Sequence, residues 1–346
     1  MKAVRVHEYD PTYTKRPTID DVPEPEVTGP LDVIVKIGGA GLCRTDLHIM
    51  EGQWAPVLTT DLPYTIGHEN AGWVHAVGSA VTNVAEGDKV ICHPQMTCGL
   101  CRACRAGQDM HCINAVFPGL THDGGGMAEL LKTNARAVVK FDPSLEPADV
   151  AALADAGLTA YHAVKKASPL LYPGTTTVVM GAGGLGHIGV QCLQAMTSTT
   201  IVVVERNPDA LKLTTDWGAD HTVVADGTHV DQVLELTDGK GADVVLDFVG
   251  EKGAQQDSWN MTRRAGSHFV IGYGSNIDIP TVDIIGTERN VIGNLVGTFN
   301  DLAELMVLAA QGLVTLKTAV YPLDAVNDAI SDLDAGRLRG RGILVP

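Results

Sequence analysis

The chain has 346 residues, of which 45% are apolar and 19% charged, and its formal net charge is −16. That length accommodates one large domain or two ordinary ones, and that balance excludes a disordered chain. So acidic a surface repels phosphate backbones, which excludes nucleic acid as a partner.

Met1 to Glu8 alternates as a short strand. It lacks the apolar stretch of about 7 to 15 residues that a secretory signal needs. No run approaches the roughly 18 apolar residues of a membrane helix. A cytoplasmic protein with no membrane partner is therefore expected. The seven cysteines, four of them crowded between Cys98 and Cys112, point to metal rather than disulfides.

Residues 1 to about 155 consist of short strands broken by Gly and Pro. Asp32–Ile37 alternates as a half-buried strand should, and Gly72–Gly78 and Gly87–Ile91 are similar. The pattern changes near residue 150. Pro147 to Lys166 is Ala-rich with helical spacing, interrupted by Gly157. Strands are then expected at Thr175–Met180, Ile201–Val204, Thr222–Val224, Asp243–Val249 and Ser267–Ile271. Helices are expected between them at Gly186–Met196, Asp209–Trp217 and Val230–Leu236. This alternation predicts an α/β fold with a doubly wound parallel sheet. The tail adds helices at Asp301–Gln311 and Ala325–Ala335 and a last strand at Ile343–Val345.

Gly181-Ala182-Gly183-Gly184-Leu185-Gly186 follows an expected strand and opens an expected helix. In that context G-x-G-x-x-G is a dinucleotide loop. The first glycine makes the turn, the second admits the pyrophosphate and the third lets helix pack on strand. The helix N-terminus then offers unpaired N–H groups to the phosphates. Glu205 lies 19 residues beyond Gly186. A carboxylate there accepts bonds from both adenosine ribose hydroxyls and repels a 2′-phosphate, favouring NAD. Arg206 dissents, since an Arg at this position can hold that phosphate.

Cys98, Cys101, Cys104 and Cys112 form a compact thiolate set. Four thiolates close a tetrahedral zinc site with no open position, which makes it structural. Such binding contributes on the order of 10 kcal/mol to ordering a loop. An iron–sulfur cluster is the competing reading, although Ile113 stands where the ferredoxin run has Pro. A second set is dispersed. Cys43, His68 and Asp155 supply Cys, His and carboxylate, with Glu69 as a further oxygen donor. A catalytic zinc needs three protein ligands and one open position. Taken singly, a Cys is more often a buried small hydrophobe and an Asp a solvated or capping group.

The chain resembles the zinc-containing medium-chain dehydrogenase/reductase family nearly end to end, and in particular bacterial NAD-dependent secondary-alcohol dehydrogenases. The matching stretches are Gly41-Leu42-Cys43-Arg44-Thr45-Asp46, Gly67-His68-Glu69, the four-cysteine loop, the Gly181 loop, Asp247-Phe248-Val249-Gly250 and Arg339-Gly340-Arg341-Gly342. The resemblance implies a mostly β, GroES-like catalytic domain at 1–157 and 297–346, with a structural zinc loop at 92–114, and a Rossmann NAD-binding domain at 158–296. It implies NAD and two zinc ions per chain, and a homotetramer or homodimer.

The resemblance also implies residue roles. Cys43 and His68 ligate the catalytic zinc. Asp155, where many members carry Cys, is the third ligand, with Glu69 as the fallback. Asp46 bonds the free nitrogen of His68. Thr45 takes the proton of the substrate oxygen, the nicotinamide ribose passes it on, and His48 delivers it to solvent; a surface histidine is the bland reading of His48. Trp54, His93, Phe117 and Leu295 line the substrate pocket, with Trp54 equally readable as a packed loop anchor. Val249, Ile271 and Leu295 flank the cofactor and Arg341 reaches its pyrophosphate. Cys92 and Cys192 are core residues. The implied activity is reversible hydride transfer between an alcohol and NAD, giving a ketone or aldehyde. A polyol dehydrogenase of the same family, a zinc-free quinone reductase and an NAD-binding structural protein of crystallin type are the alternatives.

Overall fold

A computed structural model describes residues 1–12, 14–56 and 61–346. The chain forms two compact units: Met1–Leu158 with Gly297–Pro346, and Thr159–Val296. The first unit begins with strands β1 (Lys2–Val6), β2 (Thr18–Asp21) and β3 (Asp32–Leu42) and helix α1 (Arg44–Met50). Strands β4 (Tyr64–Thr65), β5 (Glu69–Val77) and β6 (Lys89–Cys92), helix α2 (Arg102–Arg105), strands β7 (Leu130–Asn134) and β8 (Val138–Lys140) and helix α3 (Pro147–Val150) follow. Helix α4 (Ala156–Ala167) leads into the second unit. There β9 (Thr176–Met180), α5 (Gly186–Met196), β10 (Thr200–Glu205), α6 (Pro208–Thr214), β11 (His221–Val224), α7 (His229–Leu236) and β12 (Ala242–Asp247) alternate. Helix α8 (Ala254–Met261), strand β13 (Thr262–Val270), helix α9 (Thr281–Thr287) and strand β14 (Asn290–Gly293) complete it. The chain then returns to the first unit as α10 (Phe299–Ala310), β15 (Thr318–Pro322), α11 (Val326–Asp334) and β16 (Arg341–Val345).

In the first unit a three-stranded sheet runs β2-β1-β4, and a larger one runs β15-β16-β3-β5-β6-β8 with β7 also on β3. The half-buried strand expected at Asp32–Ile37 buries more than alternate residues. Val33, Ile34, Val35 and Ile37 are all buried, while Asp32 is half-buried and Lys36 is exposed; β3 is also an interior strand, paired with β16, β5 and β7. The single Ala-rich helix expected over 147–166 is corrected too. Ala151–Ala154 tighten into a 3-10 turn, and Asp155 takes φ −127° and ψ −58°, outside the helical range. That break frees the Asp155 side chain from the helical face.

The second unit is a parallel six-stranded sheet in the order β11-β10-β9-β12-β13-β14. Its central strands are β-branched and buried on both faces: Val178, Val179, Val202, Val203, Val204, Val244 and Val245 are all fully buried. The chain moves outward from β9 to β11 and then recrosses to β12. The strand order therefore reverses between β9 and β12, and the crevice beyond their C-terminal ends is the usual ligand position of such sheets. Helix α5 spans the range its glycine start predicts. Helices α8 and α9 and strand β14 are additions to the expected elements; α8 has weak apolar periodicity, and β14 is a short, exposed edge strand. Among the described residues no helix is long and apolar enough to cross a membrane.

Candidate active site and metal centres

Two strands and two turns of the first unit bring four donors together. Cys43 caps α1 where β3 ends, His68 and Glu69 enter β5, and Asp155 stands at the break before α4. One ligand atom from each of Cys43, His68, Glu69 and Asp155 lies within 4.8 Å of the others. The His68 ring has Nε2 3.5 Å from Asp155 Oδ2 and Nδ1 3.4 Å from Asp46 Oδ1. Neither contact is a well-formed hydrogen bond, and among the described residues both ring nitrogens and Asp46 Oδ1 have no partner. Buried polar atoms left that way are costly unless something else satisfies them. Donors held slightly apart around one point fit a cation. The Cys43 amide donates to Asp46 Oδ2 at 2.8 Å, which fixes the carboxylate beside His68.

The electrostatics agree with that fit. Burial alone would strip the proton from His68. The Asp46 charge, and the acceptor atoms of Asp155, Asp46 and Cys43 set around the ring, instead hold its pKa well above the ordinary 6.5. The donors thus create a field that favours positive charge at their centre. Burial also raises the Glu69 pKa, opposed by Arg341. The Arg341 guanidinium donates to Glu69 Oε2, and both side chains are buried. On β16 the guanidinium expected to serve the pyrophosphate thus meets a buried carboxylate through one of its Nη atoms. Glu69 is correspondingly tied down, since its Oε1 also accepts from the Ala156 amide at 3.2 Å.

Thr45 and His48 lie three residues apart on α1, on one face of the helix. Thr45 is half-buried and His48 is buried, which removes the reading of His48 as a surface residue. The pocket candidates divide. Phe117 packs its ring edge against His68 at 6.0 Å. His93 is buried, with its ring nitrogens 3.0 and 3.1 Å from the carbonyls of Gln95 and Gly297, so its polar atoms serve backbone. Trp54 is half-buried in the turn after α1, and Leu295 is exposed in the second unit.

In the four-cysteine loop all four sulfurs lie within 4.8 Å of one another. Cys101–Cys104 and Cys98–Cys112 are each 3.5 Å apart, Sγ to Sγ. Four sulfurs at about 2.3 Å from one zinc would stand about 3.8 Å apart, so the loop fits a single ion and is too tight for a multi-iron cluster. Backbone amides aim at the sulfurs: Cys98 N at Cys112, Cys101 N at Cys98, and Asn114 N at Cys112. The amides of Leu100 and Cys101 hold the Cys98 thiol down at about 6, and those of Cys104 and Ile113 lower Cys101, while burial pushes Cys104 up to about 12.

In the second unit Gly181 has φ +92°, and a Cβ on Gly186 would lie 1.8 Å from the Gly181 carbonyl. Both positions therefore require glycine. Gly183 is open, with nothing within 4 Å of where a Cβ would stand, as a backbone meant to meet a ligand should be. Gly184 and Leu185 complete the turn into α5. Val249 reaches the same turn: a Gly181 Cβ would lie 2.7 Å from its Cγ2. Buried Asp247 shapes this end by accepting from the amides of Val249 and Gly250 at 2.9 and 3.0 Å, and its carbonyl takes Ile271 N at 3.1 Å. Glu205 is half-buried and its carboxylate receives the amides of Ala182 at 2.7 Å and Asn207 at 2.8 Å. Arg206 is exposed.

Sequence reasoning missed the Glu69–Arg341 pair and the reason for Gly41. A Cβ on Gly41 would lie 2.1 Å from Glu69 Oε2. The glycine was visible in its motif, but its neighbour across the sheet was not.

A unit of mostly antiparallel strands carrying two donor sets that could hold metal, with a Rossmann unit carrying a dinucleotide loop, defines a zinc-type nicotinamide-dependent dehydrogenase. Residues 29–143 match the family model of the alcohol dehydrogenase GroES-like domain and residues 184–311 that of the zinc-binding dehydrogenases. The chain is 33% identical to the D-arabinose 1-dehydrogenase (NADP(+)) of Saccharolobus solfataricus, over 95% of this chain and 94% of that protein. It is 32% identical to the NAD-dependent alcohol dehydrogenase of Sulfurisphaera tokodaii, over the full length of both. The crystal structure of the alcohol dehydrogenase of the archaeon Aeropyrum pernix superposes with a TM-score of 0.95 at 44% identity, covering 100% of each chain. The chain belongs to the zinc-containing medium-chain dehydrogenase/reductase family.

Proposed function

We propose that this chain is an alcohol dehydrogenase that holds two zinc ions and passes a hydride reversibly between a small or medium alcohol and NAD. The observation that carries the reading is the convergence of Cys43, His68 and Asp155, with Glu69, on one point beside the helix that bears Thr45 and His48. Cys43, His68 Nε2 and Asp155 would hold the catalytic ion, and Cys98, Cys101, Cys104 and Cys112 the structural one. Bound zinc supplies a Lewis acid that lowers the alcohol's pKa, and the nicotinamide supplies the hydride acceptor. Asp46, 3.4 Å from His68 Nδ1, would draw the ring proton to that nitrogen and so leave Nε2 for the metal. The Thr45 hydroxyl takes the proton from the alcohol oxygen, and His48, one turn on, hands it toward solvent. Phe117 walls the substrate beside His68.

NAD is favoured over NADP because the Glu205 carboxylate is fixed at the end of β10 and would repel a 2′-phosphate. A Glu205→Ser variant should gain on NADP relative to NAD in kcat/KM. A polyol or sugar dehydrogenase is the second reading, favoured by the likeness to the Saccharolobus solfataricus protein named for D-arabinose and NADP(+); a substrate panel separates the two. We infer a cytoplasmic homo-oligomer. Edge strand β14 and helix α9 expose Val291, Val282 and Ile285, a surface suited to a second copy of this chain, and sedimentation tests it. The central test is metal analysis with an alcohol-dependent NAD reduction assay. Two zincs per chain, and turnover lost to chelator and in Cys43→Ser, are expected. Fewer than two zincs with chelator-resistant turnover overturns the reading.

A further inference from the structure

We propose that Asn70 is a positioning residue for His68, setting the imidazole through the backbone of Gly67. The inference rests on the reading of His68 as a metal ligand. Asn70 is 3% exposed and lies two residues along the chain from His68, in β5. Its Nδ2 donates to the Gly67 carbonyl at 3.2 Å, and the same carbonyl accepts the Gly126 amide at 2.8 Å. Gly67 has φ +104°, and a Cβ there would lie 2.5 Å from Met127 N. The peptide that carries His68 is thus held in a conformation open to glycine and steadied from two sides.

The Asn70 amide lies close against the neighbouring segment. A Cβ on Gly126 would be 2.0 Å from Asn70 Oδ1, and a Cβ on Gly119 would be 2.2 Å from the Gly67 carbonyl. Asn70 Oδ1 has no hydrogen-bond partner among the described residues. An unpaired buried amide oxygen is costly, so the side chain is held here by what its N–H does. His68 is itself buried, with the Phe117 ring set against it at 6.0 Å in a T-shaped contact. A small hollow beside it is lined by His68, Asn70, Cys92, His93 and Thr133. The two hydrogen bonds to the Gly67 carbonyl add a backbone constraint on the Gly67–His68 peptide to that side-chain packing.

The test compares zinc content and chelator-competition affinity in the full-length parent, Asn70→Ala, Gly126→Ala and the double variant. The four-cysteine zinc is the internal reference. In Asn70→Ala the zinc at the His68 site should be held roughly tenfold to a hundredfold more weakly, the scale of lost support behind a ligand. The cysteine-loop zinc should stay unchanged. Cobalt substitution should show an altered visible band at the weakened site. Gly126→Ala, which pushes the amide aside, should weaken the same zinc, and the double variant should weaken it no more than the sum. Equal affinity for both zincs in the parent and in Asn70→Ala overturns the inference, as does loss of both zincs together. A parent chain with a single zinc would instead overturn the reading of the His68 site itself.

Discussion

The Glu69 carboxylate reaches the Arg341 guanidinium across strand β3, passing over Gly41, and the pair is sealed from solvent at 0% and 4% exposure. Gly41 is paired with Glu69 on one side and with Ile343, the second residue after Arg341 on β16, on the other. An ion pair so buried does not simply add stability, because both charges lost their water. Its consequence is constraint: Glu69 stays next to His68 with both oxygens occupied.

Removing one member of that pair should be far worse than removing both. Arg341→Met leaves a carboxylate buried alone, which costs about 3 to 5 kcal/mol. The double variant Arg341→Met with Glu69→Gln should recover a large part of it. Equilibrium denaturation of the single and double variants measures the difference.

Gly41→Ala places a methyl 2.1 Å from Glu69 Oε2. The carboxylate must then leave Arg341 or push toward His68 and Asp155. The expected outcome is a fall in kcat/KM of roughly tenfold or more with weakened zinc at the His68 site, read by steady-state kinetics and metal analysis. Parent-like values in both would show that the carboxylate has slack that the sheet register denies.

Thiol chemistry should separate the cysteines into classes. The Cys98 thiol is held at about 6 by backbone amides and Cys101 is lowered in the same way, while burial puts Cys92 and Cys192 at about 12. Near pH 7.5, after chelator treatment, iodoacetamide should modify Cys98 and Cys101 first and leave Cys92 and Cys192 unmodified while the chain stays folded. Zinc should protect all four loop cysteines. Peptide mapping by mass spectrometry reads the order.

Asp32 carries a pH signature. Burial raises its pKa, but the Lys132 ammonium and the amides of Gly29 and Thr28 outweigh it, lowering it from 3.8 to about 2. A lowered folded value means that the contribution is present above the unfolded value and disappears as pH falls through about 2. Asp32→Asn should therefore cost on the order of 1 kcal/mol at pH 7. The gap to the parent should close between about pH 4 and pH 2. Thermal unfolding of both proteins across that range checks it.

The reach of the sequence depended on how local each signal was. The glycine loop, its helix from Gly186 and the four-cysteine loop are contiguous, so spacing alone carried their chemistry. The β-branched runs of β9, β10 and β12 announced a parallel sheet because buried strands show as unbroken apolar stretches. The single helix over Pro147–Lys166 was wrong: alanines favour helix locally, but Ala151–Ala154 tighten into a 3-10 turn and Asp155 leaves the helical range. His48 could not be assigned a burial from α1 alone, since seven residues show too little periodicity.

What the sequence determined by itself was the kind of chemistry and the order of the elements: thiolates at zinc spacing, a dinucleotide turn, and strands alternating with helices. These follow from neighbours along the chain. Only the tertiary structure decided that Glu69 pairs with Arg341, 272 residues away, that Gly41 is glycine to let that pair form, and that Asn70 steadies the peptide of His68. Each depends on sheet order and register, which bring distant residues within a few ångströms and which no local pattern records.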